Sequence, residues 1–309
     1  MTFWENKVVL VTGGAGFLGS HVINGLKGKG CTAIVVPRST TCDLRLKENC
    51  YRIIQGMNIV IHLAAKVGGI EFNQKYPGEM VFDNAIMGVQ LLEEARLAGV
   101  QKFVTIGTAC CYPDSPPVPF KEDDLWDGYP TEVTAPYGLA KRLLLVQSQA
   151  YRKQYSFNAI FLIPTNLYGE GDNFDPKSSH VIPALIKRFV DAKSSGQKQV
   201  VIWGTGKATR EFLYAEDAAE GILLATERYN EPEPVNLGSG IETPIRQLVE
   251  LIAELVGFDG EIFWDATKPD GQPRRCLDMS RAKREFGFEA RTDLREGLRE
   301  TITSYIGER

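Results

Sequence analysis

Tyr137 and Lys141 stand four residues apart. On a helix that spacing puts a phenol and an ammonium on one face. A nearby ammonium favours phenolate, so the pair predicts a phenol tuned below its reference pKa of about 10. Such a phenol can give or take a proton in a transition state. Pro136 suits the first turn of the helix, and Leu139, Leu143, Val146 and Ala150 continue it at helical spacing. A second group of chemistry-bearing residues, Thr108 and Cys110, offers a hydroxyl and a thiol two positions apart. A free cysteine is most often a small buried hydrophobe, so the thiol gains meaning only from its surroundings. The chain has three histidines, His21, His62 and His180, which leaves few candidates for histidine-dependent chemistry. His62 lies inside an apolar run and reads as a core or hydrogen-bonded histidine.

These residues need elements to position them. Lys7-Val8-Val9-Leu10-Val11-Thr12 is an apolar, β-branched run of the kind that forms a buried parallel strand. Gly13-Gly14-Ala15-Gly16-Phe17-Leu18-Gly19 follows it, and residues 20–27 then carry helical periodicity. Strand, glycine turn and helix in that order predict a dinucleotide-binding unit, with the pyrophosphate on the helix N-terminus. The next strand, 32–36, runs into Pro37-Arg38-Ser39. An acidic residue there would accept a free ribose 2′-hydroxyl. Arg38 suits a 2′-phosphate instead, so NADP is expected over NAD.

Further strands are expected at 58–65, 102–107 and 158–164, with helices at 82–98 and 137–153. The 102–107 strand delivers Thr108 and Cys110 to its carboxyl end, where ligands bind in an open parallel sheet. Residues 113–136 are polar and proline-rich and read as an ordered loop near the site. The fold class is therefore α/β: a Rossmann-type, doubly wound parallel sheet. The rhythm changes after Tyr168, which predicts a smaller, mostly helical C-terminal substrate domain. The expected division is 1–168, with a return at 213–238, for the NADP-binding domain. The interleaved substrate domain takes 169–309.

Composition closes off other classes. A net charge of −4 gives no reason to expect a nucleic acid or an anionic membrane as partner. No apolar run approaches the roughly 20 residues that span a bilayer, and the first residues lack the design of a signal peptide. Cys31, Cys42, Cys50, Cys110, Cys111 and Cys276 contain no Cys-x-x-Cys and no zinc spacing with histidine. No metal site is expected, and free thiols in a cytoplasmic protein are.

Taken together, residues 12–19, Leu63-Ala64-Ala65, Thr108, Tyr137-x-x-x-Lys141, Arg210-Glu211-Phe212 and Leu277-Asp278 with Arg281 resemble the extended short-chain dehydrogenase/reductase family. Within it the chain is most similar to the bifunctional epimerase/reductases that turn GDP-4-keto-6-deoxy-D-mannose into GDP-L-fucose. Ala64-Ala65-Lys66-Val67-Gly68-Gly69-Ile70, Cys110, Pro164-Thr165-Asn166-Leu167-Tyr168-Gly169, Asp172-Asn173-Phe174 and Ser179-His180-Val181-Ile182-Pro183-Ala184-Leu185 carry that likeness. Lys268-Pro269-Asp270-Gly271 and Pro273-Arg274 add to it. Thr108 stands where the family usually has serine, and keeps the hydroxyl. Cys111 adds a second thiol, but the spacing from Thr108 picks Cys110.

The resemblance implies roles. Cys110 and His180 would be the acid/base pair of epimerisation. Thr108 and Tyr137 would hydrogen-bond the substrate's O4, with Tyr137 donating a proton during reduction and Lys141 binding the nicotinamide ribose. NADPH would rest on Gly13, Gly14, Ala15, Gly16, Phe17, Leu18 and Gly19. Arg38, Ile106, Gly107, Pro164, Thr165, Asn166, Leu167 and His180 would complete its site. Arg188, Trp203, Arg210 and Asp270 would bind the GDP-sugar. A homodimer is also implied, formed by helices 82–98 and 137–153 in a four-helix interface. A related GDP-deoxyhexose such as GDP-L-colitose is the alternative product. A non-catalytic NADP-sensing protein is a more distant alternative, because both Tyr137 and Lys141 are present.

Overall fold

The computed structural model describes residues 2–176, 178–268 and 270–307. Pro269, part of one string quoted above, lies outside them. The elements run β1 (Val8–Thr12), α1 (Phe17–Gly28), β2 (Ala33–Val35), α2 (Lys47–Ile54), β3 (Ile59–His62), α3 (Ile70–Lys75), α4 (Pro77–Leu97) and β4 (Lys102–Ile106). They continue as α5 (Ala135–Tyr155), β5 (Ala159–Pro164), β6 (Asn166–Tyr168), α6 (Val181–Ser194), β7 (Gln199–Trp203), β8 (Thr209–Tyr214) and α7 (Ala215–Arg228). Last come β9 (Val235–Leu237), β10 (Glu242–Pro244), α8 (Ile245–Val256), β11 (Glu261–Asp265), α9 (Ser280–Phe286) and α10 (Leu294–Gly307).

The main sheet has the order β2-β1-β3-β4-β5-β9, and every pairing in it is parallel. Strands β3, β4 and β5 are buried along their whole length. That burial is why their sequences are continuous rather than alternating apolar runs. Successive side chains still leave opposite faces. Val9 and Val11 pack with Leu26, Ile222 and Phe286, while Leu10, Val60 and Phe103 pack with Ile54, Leu91 and Leu92. The sheet is thus sandwiched between α1, α7 and α9 on one side and α2, α4 and α5 on the other. From β1 the chain moves outward to β2, then crosses back to place β3 on the other flank. That reversal opens a crevice at the carboxyl ends of β1 and β3.

Beyond β6 lies a second core, in which Ile186, Phe189, Val200, Ile202, Leu248, Ile252, Leu298 and Ile302 bring together α6, α8, α10 and β7. Alongside these helices are two small sheets, β10-β8-β6 and β11-β7. The two cores are interleaved, because α7, β9 and α9 pack with the main sheet. Glu211, fully buried on β8, fastens the seam. Its carboxylate accepts from the backbone N–H of Gly240 at 2.6 Å and of Leu277 at 2.8 Å. Its carbonyl accepts from Asn166 Nδ2 at 2.9 Å. Burial raises its carboxyl pKa, and the backbone donors act against that rise.

Candidate active site

β4 ends at Ile106, and Gly107 N–H still donates to Leu162 O at 2.7 Å. The chain then turns sharply. Thr108 caps a single 3-10 turn, Ala109–Cys111, by accepting the Cys110 N–H on its hydroxyl oxygen at 3.2 Å. This leaves the hydroxyl hydrogen of Thr108 to donate elsewhere. Helix α5 rests directly on the turn: a Cβ at Gly138 would fall 2.2 Å from Cys110 O. Only glycine permits that approach. Arg142 locks the arrangement from the next helical turn, donating through Nε to Cys111 O at 2.6 Å and through Nη1 to Gly128 O at 3.1 Å. Thr108, Cys110, Tyr137 and Lys141 are thereby brought to one place.

The two adjacent thiols have different fates. Cys111 is sealed in the core, donates to Gly138 O at 3.4 Å, and is pushed up to about 12 by burial. Cys110 keeps part of its surface. A reactive thiol must be reachable, so the geometry favours Cys110.

Tyr137 and Lys141 do share a face, with Lys141 Nζ 6.0 Å from the centre of the Tyr137 ring. The expected lowering of the phenol pKa is not what the structure gives. Burial, followed by the Cys110 and Cys111 thiols, pushes the phenol well above its ordinary value. Lys141 is itself pushed down to about 8 by burial. Desolvation outweighs an ammonium at that distance, so Tyr137 is held as a proton donor.

His180 forms the N-cap of α6 and is exposed. Partial dehydration lowers its pKa towards neutral imidazole. It shares no hydrogen bond with Cys110 or Tyr137 among the described residues. The other two histidines are engaged elsewhere, His21 with Glu170 O at 3.0 Å and His62 with Thr12 Oγ1 at 2.8 Å.

The residues expected to hold a dinucleotide fit one. Gly13 has a φ of 71°, and a Cβ at Gly19 would lie 2.2 Å from Gly13 O. The turn and α1 can therefore touch only through glycine. Gly13, Gly14, Ala15 and Gly16 form the turn, and Phe17, Leu18 and Gly19 the first turn of α1. No side chain caps that helix, so its first N–H groups are available to an anion. Arg38 follows β2 and is exposed, and its guanidinium has no partner among the described residues. Ile106 and Gly107 lie at the carboxyl end of β4; Pro164 ends β5, and Thr165, Asn166 and Leu167 follow it, so all lie at the carboxyl end of the main sheet.

Arg188, Trp203, Arg210 and Asp270 lie in the smaller part. Arg188 Nη1 donates to Val201 O at 2.7 Å, and Trp203 is 67% exposed with Lys268 Nζ 5.6 Å from its ring. Arg210 donates to Gln272 O at 2.6 Å and is pushed down to about 10, chiefly by burial. Asp270 accepts from Thr205 N–H and Oγ1, each at 2.6 Å. Its carboxylate therefore braces the Gly204–Thr205 turn before it serves any ligand.

Residues 9–238 match the NAD dependent epimerase/dehydratase family. The chain belongs to that family. GDP-L-fucose synthase 1 of Arabidopsis thaliana is 39% identical over 98% of this chain and 94% of its own length. GDP-L-colitose synthase of Yersinia pseudotuberculosis is 32% identical over 97% of this chain and 98% of its own. The crystal structure of a GDP-L-fucose synthetase from Naegleria fowleri bound to NADP has a TM-score of 0.92 at 30% identity, covering 100% of this chain and 95% of that one.

Three supports of the site in this epimerase/dehydratase family member have structural roles that were not read from the sequence. Arg142 and Glu211, described above, are buried charges. Asn84, buried on α4, clamps the Ala64–Gly69 loop: its Oδ1 accepts Lys66 N–H at 2.9 Å and its Nδ2 donates to Lys66 O at 3.0 Å. The available signal was a polar residue at a position that helical periodicity makes apolar.

Proposed function

We propose that the protein converts GDP-4-keto-6-deoxy-D-mannose to GDP-L-fucose in the cytoplasm, by epimerisation at C3 and C5 followed by reduction of the C4 ketone. The division between the adjacent thiols carries the reading: Cys110 is left reachable beside a protonated Tyr137, while Cys111 is sealed. The relatives named for GDP-L-fucose synthesis support the substrate.

A ketone at C4 acidifies the protons at C3 and C5. Cys110 removes or returns a proton on one face of the sugar, and His180, carried by the exposed loop before α6, acts on the other. Thr108 and Tyr137 donate hydrogen bonds to O4 and hold the charge that gathers there. The glycine turn would hold NADPH, with Arg38 at its 2′-phosphate, and the bound cofactor would supply the hydride for C4. Tyr137 gives its proton to O4, and Lys141 provides the neighbouring positive charge and a donor for the ribose. Arg188 and Arg210 suit the pyrophosphate through their planar forks of donors, and Trp203 packs on the nucleotide.

We further assign residues 1–168, with the return at 213–238, to NADP binding and 169–309 to the substrate. A homodimer forms through α4 and α5, whose Val81, Phe82, Leu143 and Val146 are exposed. A monomer by light scattering at micromolar concentration would rule the dimer out. Turnover with NADPH and each GDP-keto sugar tests the activity. Preference for the substrate lacking the C3 hydroxyl would reassign the protein to GDP-L-colitose synthesis. No turnover with either would overturn the reading.

A further inference from the structure

Val235-Asn236-Leu237 is the last strand of the main sheet, and its middle residue is an asparagine with 0% exposure. Val235 and Leu237 pack with Ile222 and Phe286 on the α7 and α9 side. Asn236 therefore points to the opposite face. Its register partner on β5, Ile163, packs there with Tyr112 and Phe120. A buried amide is tolerated only where it is hydrogen-bonded, so the partners of this one carry the argument.

Those partners also fix which way the amide faces. Asn236 Nδ2 donates to Phe120 O at 3.0 Å and to Asp278 O at 3.1 Å. Carbonyl oxygens can only accept, so the nitrogen must lie on that side. Oδ1 then faces Tyr112, and the Tyr112 hydroxyl donates to it at 2.7 Å. Tyr112 is 2% exposed, and burial holds its phenol well above the ordinary value, so the donor keeps its proton. The Asn236 N–H donates to Glu122 Oε1 at 2.9 Å.

Tyr112 closes the turn that carries Cys110, its N–H donating to Ala109 O at 3.2 Å. The turn is thus held from two sides. Arg142 holds Cys111 O from α5, the helix of Tyr137, while Asn236 holds the Tyr112 hydroxyl from β9. Through Asp278 O the same amide is joined to the segment 272–278. That segment also braces Arg210, which donates to Gln272 O.

We propose that Asn236 is a positioning residue for Cys110, acting through the Tyr112 hydroxyl. The Arg142 contact sets the turn against Tyr137. The Asn236 contact sets its depth against the sheet, and with it the reach of the Cys110 thiol towards C3 and C5 of the sugar. Loss of the second contact lets the turn tilt about the first. The glycine turn at β1 and α1 touches neither residue, so cofactor binding is spared.

The proposal rests on the thiol role given to Cys110 above, which proton exchange by the parent protein tests by itself. Tyr112→Phe removes a single oxygen. It should lower kcat for solvent-deuterium incorporation at C3 and C5 by about tenfold, with KM and NADPH affinity within about twofold of the parent. Asn236→Ala should lower kcat at least as far. The double variant should be no worse than Asn236→Ala alone, because both changes break one bond. Circular dichroism checks folding. If Asn236→Ala does not fold, Tyr112→Phe decides the matter, and a Tyr112→Phe that does not fold marks the bond as structural and overturns the proposal. A parental kcat in Tyr112→Phe overturns it too, as do an equal loss of NADPH affinity and losses that multiply in the double variant. A parent protein without exchange would sink the thiol role, and the turn is then read without substrate. Alkylation of Cys110 by iodoacetamide, followed by peptide mass spectrometry, should be at least about threefold faster in Tyr112→Phe, because the freed thiol is easier to reach. A parental alkylation rate would overturn the proposal.

Discussion

Cys110 rides on a single 3-10 turn pinned between β4 and α5, whereas His180 opens α6 from an exposed loop. Around the first, a glycine contact and an arginine with two carbonyl acceptors leave the backbone little freedom. Around the second, no side chain caps the helix. Proton removal beside a ketone requires one partner to be fixed relative to the oxygen that receives the charge. The other partner has to admit a bulky nucleotide sugar before it acts. On the proposed mechanism, the contrast teaches that rigidity is concentrated where charge would develop, while access is left to the loop.

The sharpest way to break this contrast is to exchange one atom at each thiol. Cys110→Ser should lower solvent-deuterium incorporation at C3 and C5 by about 10²–10⁴-fold, the usual span for a lost acid/base group. Cys111→Ser should change incorporation only slightly. Mass spectrometry of the recovered sugar reads both, and the opposite result would shift the assignment by one residue. Tyr137→Phe should lower NADPH oxidation by at least about 10²-fold while some exchange through Cys110 and His180 persists. Equal loss of both reactions would mean that the two steps do not divide as argued.

A gentler perturbation is pH. Lys141 has its ammonium form depressed from 10.5 to about 8 by burial, so it loses its proton as the pH rises through that value. Reduction should fall by about tenfold per unit beyond it. A rate that stays level to pH 10 would remove Lys141 from the step. The smallest effect is expected at the far end of the cofactor. Arg38→Ala should weaken NADPH binding by about 10- to 100-fold and leave NADH nearly unchanged, since one charge-assisted contact is lost. Fluorescence titration with both cofactors would check it.

Much of the nucleotide half was legible in the sequence, because its signals are local. The order of strand, glycine turn and helix predicted β1, Gly13–Gly19 and α1, and unbroken apolar runs predicted β3, β4 and β5. Boundaries moved where caps were misjudged: α1 begins at Phe17 and α4 at Pro77, earlier than their apolar periodicity suggests. The strands β8, β10 and β11 were not legible as sheet partners. What makes each a strand is a neighbour distant in the chain, as when Glu261–Asp265 pairs with Gln199–Trp203. The proposed site residues stand in the sequence as types and spacings only. The elevated phenol of Tyr137 was not, because helical spacing gives the distance to an ammonium and says nothing of how much protein surrounds the ring.

Glu211 also bears on how the protein comes into being. As the chain leaves the ribosome, β5 emerges with its outer edge open, and the strand that covers it, Val235–Leu237, follows only after the whole excursion through α6, β7, β8 and α7. Glu211 then waits longer still, first for Gly240 and finally for Leu277. An uncovered edge and an unpaired buried carboxylate are both liabilities in a growing chain. The open β5 edge alone should therefore make a chain stopped after Tyr168 an aggregating fragment and not a working cofactor module. The nucleotide half, although read first from the sequence, is among the last parts of the molecule to be finished.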